Sequence, residues 1–592
     1  MKLIRLKITD QNGFRSLPCG FEHHFRTEWI LQDELGNLDG FAPFVCAGPN
    51  GSGKSNLLEA LAAIFFQLEV MRVRRSFLPE ALQNEELDYS PVAFELDYLI
   101  RVPPEYQQPD SQEWAEVSVW KNPGESVRIS WENLDDFNSD FNEALRWDHH
   151  ANILLPQYVL GYSSGENEIL SLPFFKMRFV QFDEYWNALS QQLPYSGRPE
   201  TRLAYLDAGF SQAILICNLL FQDEAILQPF REDVGVEALR QFRIIIKRSI
   251  DVSVEIAERF MVNDYAEPGY AEDYSATNPA LRKDSESGGY TVNLMQLLEA
   301  DPNSIVTRLK RCATLSYLDD ATDTLILDYW VNEATKEVFK ANFDNDLLML
   351  FQAFQVLLTL NLYSVSESLK SELYSSSSHY VNETVPILAS DQRIMRFKNV
   401  YFKKQGIEKA ILLKDLSDGE HQLLHSLGLC LLFRNTNSLF LLDEPETHFN
   451  PDWRANFISR LRQCLSGNSY TGQEMLITTH TPFLISDSKP DKVLVFEKDK
   501  NIGSVSISHP KYNTLGASIN KITINTFGKR ETIGGYAQTL LDKLRTRSKD
   551  ENQDKDALIT EIDQQLGDSV EKILLIKAIL DSNDQSKGEE HS

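Results

Sequence analysis

Residues 41–66 read FAPFVCAGPNGSGKSNLLEALAAIFF: a short apolar strand, a glycine-rich loop and an amphipathic helix. Residues 48–55 match the pattern GxxxxGK(S/T) of a phosphate-binding loop, and they stand in the strand–loop–helix context that supports the match. Glycines let successive backbone N–H groups turn toward phosphate oxygens, and the following helix points its positive end at them. The sequence therefore predicts a nucleotide site at this loop. Its candidate residues are Gly48, Asn50, Gly51, Ser52, Gly53, Lys54, Ser55 and Asn56.

The second half of the site is predicted at 439–446, where LFLLDEPE places paired acids after four apolar residues. Lys54 would bridge the β- and γ-phosphates of ATP, and Ser55 and Asp443 would hold Mg²⁺. Glu444 then lies where a general base would activate the attacking water. A solvated strand end would show the same acidic pattern, but its combination with the phosphate-binding loop indicates an ATPase.

Five motifs together resemble those of the ATP-binding-cassette ATPases, and more narrowly the branch that contains the SMC proteins, double-strand-break repair ATPases, RecF and the OLD family. The resemblance covers about 1–165 and 390–507. Transporter relatives carry LSGGQ where this chain has LSDGE, which argues against a transporter function. The motifs are FRS at 14–16, GPNGSGKSN at 48–56, LSDGE at 416–420, DEPETHFNP at 443–451 and TTH at 478–480.

The resemblance implies a mechanism in which two heads sandwich two ATP molecules, so we expect a homodimer or a higher homo-oligomer. The signature residues Ser417, Gly419 and Glu420 would contact the nucleotide bound by the other copy. His480 would sense the γ-phosphate as a catalytic residue, and Arg15 would reach a phosphate.

The glutamine that reaches Mg²⁺ in such ATPases is harder to place. Gln157, in LLPQYVLGY, precedes the helical region in the last strand pattern and is the candidate, both for the nucleotide and for the metal. An unrelated strand glutamine is the alternative, and the sequence leaves it open.

The strand and helix patterns predict an α/β fold: an ABC-type P-loop ATPase head with a large, mainly helical insertion between its halves and a helical C-terminal extension. Strands are expected at 4–8, 92–98, 116–120, 127–131 and 153–162, and helices at 236–261 and 345–370. The predicted parts are 1–175 for the first half of the head, 176–388 for the insertion, 389–510 for the second half and 511–592 for the extension with its polar tail.

Composition limits the function classes. The chain has 592 residues and a net charge of −28, which argues against broad, sequence-independent coating of nucleic acid. The six cysteines show no metal-binding or disulfide spacing, and no apolar run of membrane-spanning length was expected. These features predict a cytoplasmic protein. No DxD or HNH pattern follows His480, so we expect no nuclease domain.

Our first functional hypothesis is an ATP-hydrolysing sensor or regulatory subunit of an anti-phage, restriction-like defence system. LSDGE, DEPETHFNP and LGASINKITINTFG at 515–528 resemble the Septu and retron-associated ATPases, which implies a separately encoded nuclease or effector as partner. The alternative is a RecF- or SMC-like DNA-repair ATPase that binds DNA directly. The basic stretch 393–414 fits DNA contact and a solvated hairpin equally well, and His421 with His425 more often marks surface polarity than a metal site.

Overall fold

The structure of the protein is a computed structural model, and 17 stretches of the chain lie outside the part that it describes. The described residues are 1–36, 41–73, 78–83, 89–103, 107, 113–137, 153–164, 168–195, 197–261, 278–283, 288–376, 385, 388–465, 472–499, 503–528, 533–550 and 554–589.

The described strands, in chain order, are β1 Lys2–Ile8, β2 Glu22–His24, β3 Phe44–Ala47, β4 Phe94–Arg101, β5 Trp114–Lys121, β6 Arg128–Trp131, β7 Tyr158–Ser163, β8 Leu203–Tyr205, β9 Val236–Lys247, β10 Ser249–Val252, β11 Leu281–Lys283, β12 Tyr290–Asn293, β13 Leu315–Asp319, β14 Thr324–Trp330, β15 Met395–Lys404, β16 Ile411–Leu412, β17 Ser438–Asp443, β18 Glu474–Thr479, β19 Val493–Lys498 and β20 Val505–Ser508.

The described α-helices, in the same order, are α1 Glu28–Gly36, α2 Lys54–Arg72, α3 Glu80–Gln83, α4 Glu168–Ser190, α5 Ser211–Phe221, α6 Gln228–Asp233, α7 Val254–Glu258, α8 Leu294–Leu298, α9 Ile305–Cys312, α10 Glu333–Asn342, α11 Leu347–Thr359, α12 Glu367–Ser375, α13 Asp418–Leu432, α14 Pro451–Leu465, α15 Pro482–Ser486, α16 Ile519–Phe527, α17 Gly535–Arg547, α18 Lys555–Gln565 and α19 Val570–Glu589.

A seven-stranded sheet in the order β20-β19-β3-β18-β17-β7-β8 forms the centre of the head, and all its neighbours are parallel except the β19–β20 hairpin. Every residue of β3, β17 and β18 is buried. Near-continuous apolar runs are typical of parallel strands covered on both faces. Parallel register brings the carboxyl ends of these strands to one edge, where Asp443 lies beside Thr478 and Ser163. The predicted α/β head is confirmed.

A second, antiparallel sheet in the order β2-β1-β4-β5-β6 belongs to the first half of the head. Its strands β1, β4, β5 and β6 confirm the predictions at 4–8, 92–98, 116–120 and 127–131. The prediction at 153–162 is confirmed only from Tyr158 onward, because residues 153–154 are helical.

The insertion contains more β-structure than the sequence suggested. The predicted helix at 236–261 is wrong over β9 and β10, since alternate residues Phe242, Ile244 and Ile246 are buried on one face of a strand. β9 pairs with β14 and with β15, giving the antiparallel order β13-β14-β9-β15-β16. The helix predicted at 345–370 is confirmed over the buried helix α11, and a 3-10 helix follows at 360–364, but residues 365 and 366 interrupt it before α12 begins.

The predicted boundary at 175/176 falls inside α4, and β8 is an edge strand of the central sheet. The first half of the head therefore extends past residue 200. β9 likewise joins the insertion to β15, beyond the predicted boundary at 388/389.

The C-terminal extension is helical, as predicted, and α17–α19 pack around a small core of their own that includes Leu541, Leu544, Leu558 and Ile562. Of the polar patch predicted at 546–556, residues 551–553 lie outside the described residues, and so do 590–592 of the polar tail.

One stretch of the described chain, Leu347–Ser364, is long and apolar enough to cross a membrane by length and composition, which the sequence analysis did not anticipate. Most of this stretch is buried, and Phe351, Phe354 and Leu357 pack into the main core. Its apolar character is that of a core helix.

Candidate nucleotide-binding site

The phosphate-binding loop runs from the end of β3 to the start of α2 in a conformation that requires glycine. Gly48, Gly51 and Gly53 have φ values of 151°, 73° and 97°. A Cβ on Gly48 would lie 2.5 Å from the carbonyl oxygen of Phe496, and one on Gly53 would lie 2.7 Å from Ser16 Oγ. The loop is therefore held closely between the β19–β20 hairpin and the segment that contains Ser16.

Two features of this loop fit a phosphate group. The N-terminus of α2 opens directly onto it, and Gly53 is the residue before the helix. Ser52 Oγ is buried and has no hydrogen-bond partner within the described chain, and it lies 2.9 Å from where a Cβ of Gly48 would be. A buried hydroxyl without a partner is costly, and a phosphate oxygen would accept its hydrogen bond.

Lys54 is nearly buried and its ammonium lies over the loop. Its Nζ donates to the carbonyl oxygens of Gly48 at 3.1 Å and Pro49 at 3.2 Å, and it lies 3.5 Å from His480 Nδ1. Burial lowers the pKa of Lys54, and the carboxylates of Glu444 and Asp443 oppose that shift. The cation thus stands where a nucleotide phosphate would contact it.

Two of the three predicted ligands of Mg²⁺, Ser55 and Asp443, meet at the end of the loop. Ser55 Oγ donates to Asp443 Oδ1 at 2.8 Å, and Thr478 Oγ1 donates to the same oxygen at 2.6 Å. The described residues contain no group of three or more His, Cys, Asp or Glu that would hold a metal ion without other ligands. Ser55 and Asp443 fit Mg²⁺, which takes few protein ligands and completes its shell with phosphate and water oxygens.

Glu444 occupies an unusual backbone conformation that turns its carboxylate into the cleft. Its φ is 50°, in the left-handed region, and its N–H donates to Thr478 Oγ1 at 3.0 Å. His480 Nε2 lies 2.5 Å from Glu444 Oε1. This hydrogen bond lowers the pKa of Glu444 despite partial burial, so the group is a carboxylate at neutral pH and can accept a proton.

These side chains line one cleft of about 650 Å³, a volume that is ample for a nucleotide. Its wall includes Ser16, Asn50, Asn56, Glu444, His480 and Lys498. The predicted site residues of the phosphate-binding loop, Asp443, Glu444 and His480 are therefore brought together by the fold.

Gln157 is not at this site, and its prediction as a nucleotide and metal ligand is wrong. It precedes β7, at the amino end of the parallel strands, where its Oε1 accepts from the N–H of Asn437 at 2.9 Å. The nucleotide residues stand at the carboxyl end. There β7 ends at Ser163, and Ser164 N–H donates to the carbonyl of Asp443 at 3.2 Å. Residues 165–167, which follow, lie outside the described residues.

Arg15 does not line the cleft either. Its guanidinium binds Glu59 Oε1 at 2.8 Å, and its predicted contact with a phosphate stays a prediction. Its neighbour Ser16 takes the place at the loop, accepting a hydrogen bond from Asn56 Nδ2 at 2.5 Å. Of the FRS motif, Ser16 is the residue that lines the cleft.

The signature residues lie outside the cleft of their own chain. Ser417 caps α13, and its N–H and hydroxyl donate to Glu420 Oε2 at 2.8 Å and 3.0 Å. Glu420 is also paired with Lys404 at 2.5 Å, so within the chain it serves as a helix cap and ion-pair partner. Contact of Ser417 and Gly419 with the nucleotide of a second copy stays a prediction.

The second histidine of the HxxxH pattern has a structural role. His425 is buried, lies 2.8 Å from Ser211 Oγ and 2.9 Å from the carbonyl of Leu206, and stacks on Tyr162. Burial lowers its pKa to about 4, so it is neutral at physiological pH. The prediction that the pair marks surface polarity is therefore wrong for His425, which packs in the interior.

Ser16, Thr478 and Lys498 were missed by the sequence analysis. Ser16 follows Arg15 in the FRS motif, and Thr478 opens the TTH motif, so both lay inside recognised patterns. Lys498 carries no motif signal. It is opposite Val505 in the β19–β20 hairpin, and Val505 Cγ2 would lie 2.9 Å from a Cβ on Gly53.

Comparisons with known proteins give one family match over part of the chain and a distant similarity to a solved structure. A family model described as "AAA domain, putative AbiEii toxin, Type IV TA system" matches residues 323–486, which include LSDGE, DEPE and His480 but not the phosphate-binding loop. Among similar solved structures is a crystal structure of the SmcHead bound to the C-winged helix domain of ScpA, at 11% identity and a TM-score of 0.31 over 86% of this chain and 97% of that chain. The search of curated proteins found no match.

Proposed function

We propose that this P-loop protein is an ATP-binding and ATP-hydrolysing sensor or regulatory subunit of an anti-phage, restriction-like defence system. One observation supports ATP hydrolysis most directly. One cleft brings together Lys54, the hydrogen-bonded pair Ser55–Asp443 and the pair Glu444–His480. This role places the protein in the cytoplasm, with a separately encoded nuclease or other effector as its partner.

The geometry supports a hydrolytic mechanism. Lys54 and the N–H groups of the loop bind the phosphates, and Mg²⁺ held by Ser55 and Asp443 would neutralise charge on them. Glu444 accepts the proton of the attacking water, because its lowered pKa keeps it ionised. His480 fixes the orientation of that carboxylate through its Nε2.

We expect a second copy of the chain to supply the signature motif to the bound nucleotide. Since LSDGE lies outside the cleft of its own chain, we propose that it reaches the nucleotide of another protomer, as in ATP-sandwich dimers. Gly419 packs closely on the loop after Asp443, because a Cβ there would lie 2.8 Å from the carbonyl of His448. Gln422 Oε1 also accepts from His448 N–H at 2.9 Å, so movement of α13 would be passed to the loop beside Glu444.

The insertion contacts the same helix, which supports a regulatory role. α5 packs against α13 where Asn218 Nδ2 donates to the carbonyl of Gly428 at 3.0 Å. A Cβ on Gly428 would lie 2.8 Å from Ile214 Cγ2, so the two helices approach closely. A signal that moves the insertion would therefore act on the signature motif.

The defence role is supported by the description of the matching family, which names a putative toxin of a type IV TA system. The test is co-purification of tagged protein from its native host, with proteins and nucleic acid identified together. We expect the Glu444→Gln protein, which should retain ATP, to recover a nuclease or other effector encoded nearby. The matched Lys54→Ala protein should recover less of it. Recovery of repair proteins and DNA, with no such effector, would contradict the defence role.

The alternative function is a RecF- or SMC-like DNA-repair ATPase that binds DNA directly. The predicted basic stretch contains β15, which presents Arg396 and Lys398, although Lys403 and Lys404 are paired with Glu237 and Glu420. ATP hydrolysis that is stimulated by DNA in the absence of any other protein would favour this alternative.

A further inference from the structure

Strand β13 is an edge strand of the sheet β13-β14-β9-β15-β16. It pairs with β14 on one side, and no described strand lies on its other side. Residues 315–318 are all exposed, whereas 324–327 of the adjacent β14 are all buried. The N–H and C=O groups along a free edge are a template for pairing with another strand.

The edge carries an apolar surface. Leu315 and Leu318 are each 54% exposed, Tyr317 is 39% exposed, and Trp330 at the end of β14 is 67% exposed. Leu315 and Tyr317 lie opposite Asp328 and Ile326 of β14, so they share a face of the sheet with Trp330. Exposed apolar side chains that cluster in this way mark interaction sites more often than single ones do.

The other edges of the described sheets are better protected. Their edge strands are β2, β6, β8, β10, β11, β16 and β20, and each has four residues or fewer, against five in β13. β2 and β11 are rich in charged or ionisable residues, and β8 is buried throughout. β13 reads LSYLD, with no proline or basic residue and with an unbroken register against β14. It lacks the features by which edge strands usually avoid pairing.

Charge on either side of β13 favours one occupant. Arg311, at the end of α9, precedes the strand, and Asp319 ends it. Lys310 is already paired with Glu299, and Asp320 and Asp323 are already paired with Arg248, so the charge argument depends on Arg311 and Asp319. If a second copy pairs antiparallel with the first, the basic end of each strand faces the acidic end of the other. Parallel pairing would place like charges together.

We propose that two copies of this chain associate through β13, independently of nucleotide. The two strands would pair antiparallel about a two-fold axis that passes between the two Tyr317 residues. Tyr317 then faces Tyr317 of the other copy, and Ser316 faces Leu318. Such an interface is self-complementary, as two-fold dimers require. It is also small, so we expect weak association that depends on protein concentration.

The first test uses the residue on the axis. Analytical ultracentrifugation of the full chain without nucleotide should show a concentration-dependent dimer. Tyr317→Lys and Tyr317→Glu place like charges face to face, so each variant alone should have a dissociation constant raised at least tenfold. An equal mixture of the two variants should form the dimer again. Ile407→Lys, which changes an exposed apolar residue at the opposite end of the same sheet, is the matched control and should dimerise like the wild type.

A second test checks the register. Cys19 is the one exposed cysteine among the six, so a Cys19→Ser background removes the accessible thiol. In that background Tyr317→Cys should form a disulfide-linked dimer under mild oxidation, and Lys409→Cys should not. A wild-type chain that stays monomeric at high concentration would overturn the proposal. So would equal cross-linking of the two cysteine variants, or capture of an extended peptide by β13 in a monomeric chain.

Failure of the β13 dimer can be distinguished from failure of the proposed ATPase function. Lys54→Ala should dimerise through β13 as the wild type does, because the edge is not part of the nucleotide cleft. Tyr317→Lys should bind ATP with unchanged affinity. A dimer that is lost in Lys54→Ala would show that association depends on nucleotide and would contradict this interface.

Discussion

The tight contact between the phosphate-binding loop and the β19–β20 hairpin leads to a quantitative prediction for two glycines. Gly48→Ala would place a Cβ 2.5 Å from the backbone oxygen of Phe496 at a φ of 151°. Gly51→Ala would also meet backbone strain, at a φ of 73° nearer the left-handed helical region, but has nothing within 4 Å of its Cβ. Gly51→Ala is therefore a control for a positive φ in the same loop without a collision.

The expected magnitudes differ. A non-glycine residue at such a φ costs about 1–2 kcal/mol, and overpacking adds about 1–3 kcal/mol where the neighbour is backbone and cannot move away. If the loop must keep its conformation to bind phosphate, Gly51→Ala should weaken ATP binding about five- to thirtyfold. Gly48→Ala should weaken it between about thirtyfold and a few thousandfold.

The assay is isothermal calorimetry or fluorescent-nucleotide titration with Mg²⁺, accompanied by thermal unfolding to establish that both variants are folded. The reasoning fails if Gly48→Ala binds ATP as well as Gly51→Ala does. It also fails if both variants bind like the wild type, since the loop would then not need the conformation seen here.

Two further predictions concern side chains near the cleft. Lys498→Ala should weaken ATP binding about fivefold at low salt, an effect of ~1 kcal/mol for an exposed cation, and the loss of affinity should shrink as the salt concentration rises. Lys511→Ala removes the same charge elsewhere and should leave ATP affinity unchanged. Equal losses of affinity in both variants would contradict a local contact of Lys498 with the nucleotide. Glu446 is buried beside Thr479, and burial raises its pKa to about 7. Its protonated form therefore stabilises the folded state fully below pH ~4.5, and this contribution, roughly 3 kcal/mol at most, is lost as pH rises toward about 7. Urea denaturation should show a weaker decline in stability over that pH range for Glu446→Gln than for the wild type, and parallel pH profiles would refute the assignment.

Much of the site was predictable because its chemistry is local in sequence. The loop from Gly48 to Ser55 needs only its own strand, glycines and helix, and these are consecutive. Asp443 and Glu444 follow a buried strand whose parallel register with β18 brings them to Thr478 and His480. Strand direction alone therefore carries these residues to the same edge of the sheet.

The failures have a common physical origin in long-range packing. Gln157 precedes β7, at the amino end of the central sheet, and only the pairing of β7 with β17 reveals which end of β7 faces the nucleotide. Residues 236–247 carry apolar side chains at spacings that suit both a helix and a strand, and the choice is made by β14 and β15, which are distant in sequence. Lys498 joins the cleft because the hairpin packs on the phosphate-binding loop, a contact that no local pattern encodes.

The central claim is that Glu444 is the base for ATP hydrolysis in the cleft formed with Lys54 and Asp443. The most direct measurement is the rate of phosphate release from Mg·ATP by the wild type and by Glu444→Gln, with ATP affinity measured on the same samples. Loss of the base should slow hydrolysis about a hundredfold to ten-thousandfold while ATP stays bound, because the amide keeps the shape of the side chain but cannot accept the proton. Hydrolysis by Glu444→Gln at the wild-type rate would contradict the claim, and so would a wild-type protein that binds ATP without hydrolysing it under any condition in which the heads associate.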